Sequence, residues 1–281
     1  MTESHDIDLL KLYFGDPYPI TNSLIAYTPT IQDILDYGEQ QFFAMAYVFI
    51  GNTTFRRLDL WDAGVDWNKI SDYQLFGSLV RVFPVEKTRI LFGDVDFSKF
   101  EFMERVLPPE KLSADVEEDD KPKKKPTHYE KQQKEFADFE KKVTLYNAEQ
   151  GIEISASTYR YMADVVRWMF HSFPKTEYTF GKTAKEIIIQ EERDKRKKAQ
   201  KESKGSSSVL LPLISSCVNH PGFKYKTSEL REVHISEFMD SVQRLQVYEA
   251  THALLGGMYS GFCDTSKIPR DNFNFMRELD Q

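Results

Sequence analysis

Two apolar patterns with helical spacing lie close together within residues 207–261. The first follows a predicted N-cap at Ser207 or Ser208, and the second is predicted to end at Gly256 and Gly257. The apolar positions are Leu210, Leu211, Ile214 and Val218 in the first pattern, and Ile235, Phe238, Met239, Val242 and Leu245 in the second. Spacings of three and four residues place such side chains on one helix face, which is stable when it is buried. The stretch therefore predicts two helices that pack through these faces.

Four more helices are predicted from side chains that can accept hydrogen bonds at a helix N-terminus. The predicted N-caps are Thr30, Ser71, Ser157 and Thr183. The first helix is predicted to run unbroken through residues 31–49 and to stop at Gly51, and the second is predicted to stop before Pro84. The last helix has Glu186 in capping-box spacing after Thr183, and its charged second half is expected to project into solvent.

Short β-prone runs predict a small sheet. Residues 95–102 alternate between apolar and polar side chains, which is typical of a half-buried strand. Residues 142–154 contain two short runs joined through Asn147 and Gly151, which indicates a hairpin, and residues 22–27 predict one further short strand. The expected fold class is α+β, predominantly helical with a small antiparallel sheet or hairpin.

A charged segment at residues 108–135 interrupts this pattern. An acidic block at residues 117–120 adjoins a basic block at residues 121–125, and prolines interrupt any helix there. Such a segment buries too little apolar area to offset its ordering entropy, which predicts a flexible insertion. The predicted organisation is an α-rich region with one or two strands at residues 1–107, the insertion at 108–135, and a hairpin followed by a helical unit at 136–281.

Composition limits the compartment and the classes of partner. The longest apolar run, residues 42–50, is much shorter than the roughly 20 residues that a membrane-spanning helix needs. The N-terminus lacks the charge and apolar pattern of a signal peptide, and two cysteines do not form a disulfide scaffold. These features predict a protein of the cytoplasm without a membrane partner. The formal net charge of -7 argues against a dedicated nucleic-acid binder.

Two groups of residues are of types that catalysis or metal binding uses, and each group has a simpler structural explanation. Asp94 and Asp96 would share one face of the predicted strand, where two carboxylates can serve acid–base chemistry or hold a cation. A thiol–imidazole pair or a metal site could draw on Cys217, His220, His234 and His252. The expected roles are instead a solvated strand face, a buried cysteine and a histidine at a helix end. No catalytic, cofactor or metal site is predicted, and no enzymatic activity.

Two surfaces remain as candidates for contact with other molecules. A possible basic patch on the charged helix comprises Arg193, Lys195, Arg196, Lys197, Lys198 and Lys201. A possible partner-binding face on the last helix comprises Phe238, Asp240, Arg244, Gln246, Gly256 and Gly257. The first could bind phosphate or an acidic protein surface, and the second is expected to bind a protein.

Three sequence blocks resemble a family of virion morphogenesis proteins from tailed bacteriophages and prophages of Gram-positive bacteria. The blocks are TPTIQDILDYGEQQFFAMAYVF at residues 28–49, LWDAGVDWNKISDYQLF at 60–76 and LLPLISSCVNHPGFKYKTSELREVHISEFMDSVQRLQ at 210–246. The family ending, YSGF followed by KIP, is matched at residues 259–262 and 267–269. The resemblance covers most of the chain outside the charged insertion.

The resemblance implies a non-enzymatic role in building a siphophage particle. The implied activity is that of a tail assembly chaperone, which contacts the tape-measure and tail-tube proteins in the host cytoplasm. A structural head–tail connector or tail component, retained in the virion, is an alternative within the same class, and a nucleic-acid-binding accessory protein is an alternative outside it. The resemblance implies no cofactor, and the oligomeric state stays open.

Overall fold

The computed structural model describes residues 7–105, 127–202, 208–261 and 266–279. Within these residues the chain is α+β and mostly helical, with a three-stranded and a two-stranded antiparallel sheet, which confirms the predicted fold class. The helices are α1 Leu9–Tyr13, α2 Ile31–Tyr37, α3 Glu39–Ile50, α4 Arg57–Asp62, α5 Asp72–Val80, α6 Val85–Phe92, α7 His128–Lys142, α8 Ala156–Phe170, α9 Lys182–Glu202, α10 Leu210–Val218 and α11 Ile235–Tyr259. The strands are β1 Tyr18–Pro19, β2 Ile25–Ala26, β3 Phe100–Glu104, β4 Val143–Asn147 and β5 Ile152–Ile154. Short 3-10 helices cover Trp67–Lys69, Phe97–Lys99, Leu230–Glu232 and Arg270–Phe273.

The core is centred on α3 and α8, which pack against each other. Phe49 of α3 is fully buried, and its ring lies against the rings of Phe76, Phe92 and Phe97. The same apolar cluster reaches Phe238 of α11. The regions predicted at residues 1–107 and 136–281 thus contribute to one shared core.

The three-stranded sheet connects the chain on either side of the charged segment. Its strand order is β3-β4-β5, with Phe102 opposite Leu145 and Leu145 opposite Ile154. The hairpin predicted at residues 142–154 is confirmed by β4 and β5. Because β3 precedes the charged segment and β4 follows it, pairing between β3 and β4 brings the two flanks of that segment together.

The helices predicted in the N-terminal region are confirmed, but the first of them is divided into two. Thr30 is the N-cap of α2 in a capping box with Asp33, and Ser71 caps α5 in the same way with Gln74. The single helix predicted at residues 31–49 is wrong, because the chain breaks at Gly38 with a φ of 95°. A positive φ of this kind ends a right-handed helix, and glycine adopts it without a Cβ clash. The helix starts again at Glu39.

The strand predicted at residues 95–102 is mostly wrong. Only its last residues belong to β3, whereas Phe97 begins a 3-10 turn capped by the Asp96 carboxylate. Asp94 and Asp96 precede β3, so the two aspartates do not share a strand face. Asp94 instead accepts a hydrogen bond from Arg89 at 3.1 Å. Pro84 is the N-cap of α6, which the sequence analysis had not predicted.

Several predicted boundaries are also corrected. Ser155, rather than Ser157, caps α8, and α9 begins at Lys182, with Thr183 already inside the helix. The predicted stop at Gly256 is wrong, since α11 continues to Tyr259. The short strand predicted at residues 22–27 is limited to β2, which pairs with β1.

The charged segment predicted as a flexible insertion is only partly within the described residues. Residues 108–126 lie outside them. Residues 128–135 belong to α7, whose N-cap Thr127 forms a capping box with Glu130. The C-terminal part of the predicted insertion is therefore helical.

Candidate partner-binding groove

The predicted partner-binding residues on α11 separate into two environments. Phe238 is fully buried in the core, so its place in the predicted binding face is corrected. Asp240 and Arg244 are half-buried and line a groove, whereas Gln246 is exposed. Gly256 is exposed and Gly257 is half-buried near the far end of the helix. The structure thus brings Asp240 and Arg244 together and leaves the other predicted residues apart from them.

The groove lies between α1, the end of α8, the middle of α11 and the C-terminal segment. It encloses a cavity of about 620 Å³. Its lining combines apolar side chains of α1 and α8, including Leu9, Leu10 and Trp168, with the polar side chains of Asp240 and Arg244. An apolar lining with a few polar groups is the usual composition of a binding site, because apolar contact supplies affinity and the polar groups fix orientation.

Arg244 connects α11 to the C-terminal segment. Its guanidinium donates a hydrogen bond to the carbonyl oxygen of Arg277, and its Nε lies 3.8 Å from Oδ1 of Asp240, one helical turn earlier. A second cavity of about 650 Å³ is lined by Arg244 and by residues that include Tyr248 and Phe275. The C-terminal segment runs antiparallel along α11, because Asn272 contacts Thr251, Phe275 contacts Tyr248 and Arg277 contacts Arg244. It therefore passes both cavities.

His171 lies in the groove in an unusual backbone conformation. It is the C-cap of α8 with a φ of 45°, the one positive φ at a non-glycine residue among those described. Burial lowers the pKa of His171, and the negative charge of Asp240 acts against that shift. Burial raises the pKa of Asp240, opposed by the positive charges of Arg244 and His171. The effect of burial on the pKa of each group is thus partly offset by charged neighbours. The described contacts include no hydrogen bond between the His171 ring and the Asp240 carboxylate.

Exposed apolar side chains lie at the groove and near it, with Leu10 in the lining of the groove and Met276 in the lining of the second cavity. Leu10 is 65% exposed and Phe14 is 63% exposed, both at α1, and Met276 of the C-terminal segment is 73% exposed. These exposed residues of α1 are not predictable from periodicity, because α1 has only five residues, too few for a periodic pattern. The available signal was Asp8, whose carboxylate accepts hydrogen bonds from the backbone of Leu10 and Lys11.

Comparisons with protein-family models, curated proteins and solved structures found no match to this chain. The resemblance to phage morphogenesis proteins therefore rests on the sequence blocks themselves. Among the described helices, none combines the length and the apolar character that crossing a membrane requires.

The cysteine and histidines considered for catalysis or metal binding are not brought together. Cys217 is buried, which raises the pKa of its thiol. His220 at the end of α10 has its Nε2 3.0 Å from Oε1 of Glu249, and His234 has its Nδ1 2.9 Å from the carbonyl oxygen of Thr28. The ring of His252 stacks on that of Tyr248. The described residues contain no cluster of three or more potential metal ligands.

The predicted basic patch on α9 is divided. Arg193 pairs with Asp62, and Arg196 pairs with Asp59 at 2.7 Å, so both guanidinium groups face α4. The other predicted members, Lys195, Lys197, Lys198 and Lys201, are exposed. The six cations therefore do not form one continuous surface, which weakens the case for phosphate binding there.

Proposed function

We propose that this protein is a non-enzymatic assembly factor that binds a segment of another polypeptide in the α11 groove. In line with the sequence resemblance, the proposed process is the assembly of a siphophage tail, with the tape-measure protein as the bound partner and the tail-tube protein as the subunit recruited to it. The proposed place of action is the host cytoplasm.

The observation that carries the binding role is the combination of exposed apolar residues and a partly buried charged pair around one cavity. Leu9 is 45% exposed and Leu10 is 65% exposed. Asp240 and Arg244 line the same cavity of about 620 Å³. Exposed apolar side chains beside polar groups at a cavity are typical of a surface that is covered by a protein.

A chaperone role fits the modest size of this surface. Small interfaces with an apolar centre and a charged rim support reversible binding rather than permanent assembly. A tail assembly chaperone must release its client when the tail tube polymerises. The charged pair can orient the client segment, and the apolar side chains shield it from water until release.

The proposal is tested by co-expressing the chain with siphophage tape-measure and tail-tube proteins. We expect the tape-measure protein to stay soluble and to co-purify. Leu10→Asp places a charge on the groove rim, and it should lower the affinity for the tape-measure protein by about tenfold or more because a carboxylate would be desolvated there. The control is Val82→Asp, since Val82 is 71% exposed and lies outside the groove.

Equal loss of binding in both variants would contradict a role for the groove, and insoluble tape-measure protein with the unaltered chain would contradict the chaperone role. Protein composition of purified virions separates the structural alternative, because a tail or connector component remains in the particle and a chaperone does not.

A further inference from the structure

Helix α9 docks on α4 and the following turn through one charged stripe. The side chains that face this surface are Lys185, Ile189, Glu192, Arg193 and Arg196, at helical spacing. Their partners run in the opposite order along the chain, because Lys185 pairs with Asp66 at 2.5 Å, Arg193 with Asp62, and Arg196 with Asp59 at 2.7 Å. The two segments are thus paired antiparallel by charge.

The apolar part of this contact is small. Of the α9 side chains that the structure describes, Ile189 alone is buried, in a cluster with Leu58 and Trp67 that is separate from the main core. Helix α8, by contrast, has eight buried residues, all in the main core. Packing of an apolar face supplies most of the stability of a protein helix, so α9 depends on its ion pairs to an unusual degree.

The ion pairs differ in how strongly solvent can screen them. The side chains of Asp62 and Asp59 are 52% and 48% exposed, whereas the Lys185 side chain is 13% exposed and its ammonium lies 5.4 Å from the centroid of the Trp67 ring. Exposed charges are screened over about 10 Å in 0.1 M salt and over about 3 Å in 1 M salt. Salt therefore acts first on the pairs at Arg193 and Arg196, whereas the pair between Arg57 and Glu192, one turn before Arg196 in α9, is more sheltered.

We propose that α9 is a salt-releasable arm. When ionic strength screens the pairs at Arg193 and Arg196, the arm separates from α4, starting at its C-terminal end, while the main core stays folded. The pair between Lys185 and Asp66 holds the other end longest. Complete release, which also breaks the pair between Lys185 and Asp66, uncovers Leu58 and Trp67 and presents Ile189 to solvent, so the arm covers an apolar surface for as long as it stays docked.

Hydrogen exchange of the full chain, measured by mass spectrometry at about 0.05 M and about 1 M NaCl, tests this step. Exchange rates are corrected with an unstructured peptide for the effect of salt on the chemistry itself. We expect exchange in residues 190–202 to accelerate by about tenfold or more, exchange in 182–189 to accelerate less, and exchange in α8 to stay within about twofold. Salt-independent exchange of α9, or parallel acceleration in α8, would overturn the proposal.

A charge swap separates the ion pair from general effects of mutation. At low salt, Asp62→Arg and Arg193→Asp should each accelerate exchange of α9, and the double substitution should restore protection because the pair is re-formed in reverse. Lys195→Asp is the matched control, with the same charge change on an exposed residue of the same helix outside the stripe. If the double substitution fails to restore protection while α8 stays protected, or if Lys195→Asp acts like Arg193→Asp, the proposal is refuted.

Discussion

The hydroxyl of Tyr73 bridges two strands, β4 and β5, of the three-stranded sheet. Tyr73 belongs to α5 and is 1% exposed. Its oxygen accepts a hydrogen bond from the Leu145 amide at 2.8 Å and donates one to the Ile154 carbonyl at 2.6 Å. Burial raises the pKa of Tyr73 to about 12, so the hydroxyl keeps its proton and can donate throughout the neutral range. One oxygen atom thus completes the pairing between β4 and β5 at this point.

The cost of removing that atom follows from its two partners. Tyr73→Phe keeps the ring against Tyr159 and Phe102 and leaves the Leu145 amide without the hydroxyl. The Ile154 carbonyl retains a hydrogen bond from Thr144 at 3.3 Å. A net hydrogen bond contributes about 1 kcal/mol, and an unpaired buried donor costs about 1–3 kcal/mol. Because one partner is partly rescued, we expect a loss of about 2 kcal/mol in the free energy of unfolding.

Urea unfolding at pH 7, followed by circular dichroism, measures this loss as a shift of the midpoint at constant slope. Tyr259→Phe is the control, because Tyr259 is 80% exposed and its hydroxyl should matter by less than about 0.5 kcal/mol. A Tyr73→Phe variant within about 0.5 kcal/mol of the unaltered protein would refute the reasoning. It would mean that the Leu145 amide and the Ile154 carbonyl close the gap and pair directly.

Two further substitutions test the groove and the packing of the sheet. His171→Asn suits the left-handed backbone and removes a half-buried imidazole whose pKa is lowered by its partial burial. Below about pH 6.5 the histidine of the unfolded chain gains a proton before that of the folded chain, so the unaltered protein should lose stability as the pH falls. Its free energy of unfolding in urea, relative to that of the variant, should therefore decrease from pH 7.5 to 5.5. A difference that does not change with pH would contradict the assignment. Gly77→Ala brings a Cβ to within 2.2 Å of the Phe102 ring, and we expect a net cost of about 1–2 kcal/mol despite the better helix propensity of alanine. In a double-mutant cycle Phe102→Leu should relieve most of that cost, and independent effects of the two substitutions would contradict the clash.

Local hydrogen-bond chemistry was predictable from the sequence at two helix starts, those of α2 and α5, but not at α8 and α9. Thr30 with Asp33 and Ser71 with Gln74 satisfy helix termini within three residues, so no distant part of the fold is needed to specify them. The break at Gly38 was not predictable from periodicity, because the buried residues of α2 and α3 continue the same pattern across it. Glycine permits the positive φ there, and only the packing of both helices on one core requires it.

Both the groove and the docking of α9 depend on contacts between residues that are distant in the sequence. Arg244 meets the carbonyl oxygen of Arg277, and Arg193 meets Asp62 from the other half of the chain. Nothing in the local sequence distinguishes such a paired arginine from a solvated one. The error at Phe238 was avoidable, because successive helix positions differ by about 100°, which places Phe238 and Asp240 on opposite faces of α11. A face that includes Asp240 and Arg244 cannot include the residue that anchors the helix in the core.

The two charged helices α9 and α11 are held by different forces, which makes the two proposals independent of each other. α11 is anchored by buried residues such as Ile235 and Phe238, whereas α9 is anchored mainly by ion pairs. Salt screens the pairs at Asp59 and Asp62 but leaves the burial of uncharged apolar surface in place, because that burial does not depend on charge. The apolar rim of the groove should therefore keep its shape under conditions that release α9. Client binding by a rim variant at low salt tests the groove, and exchange protection of α9 at high salt tests the arm. Either proposal can therefore fail without the other.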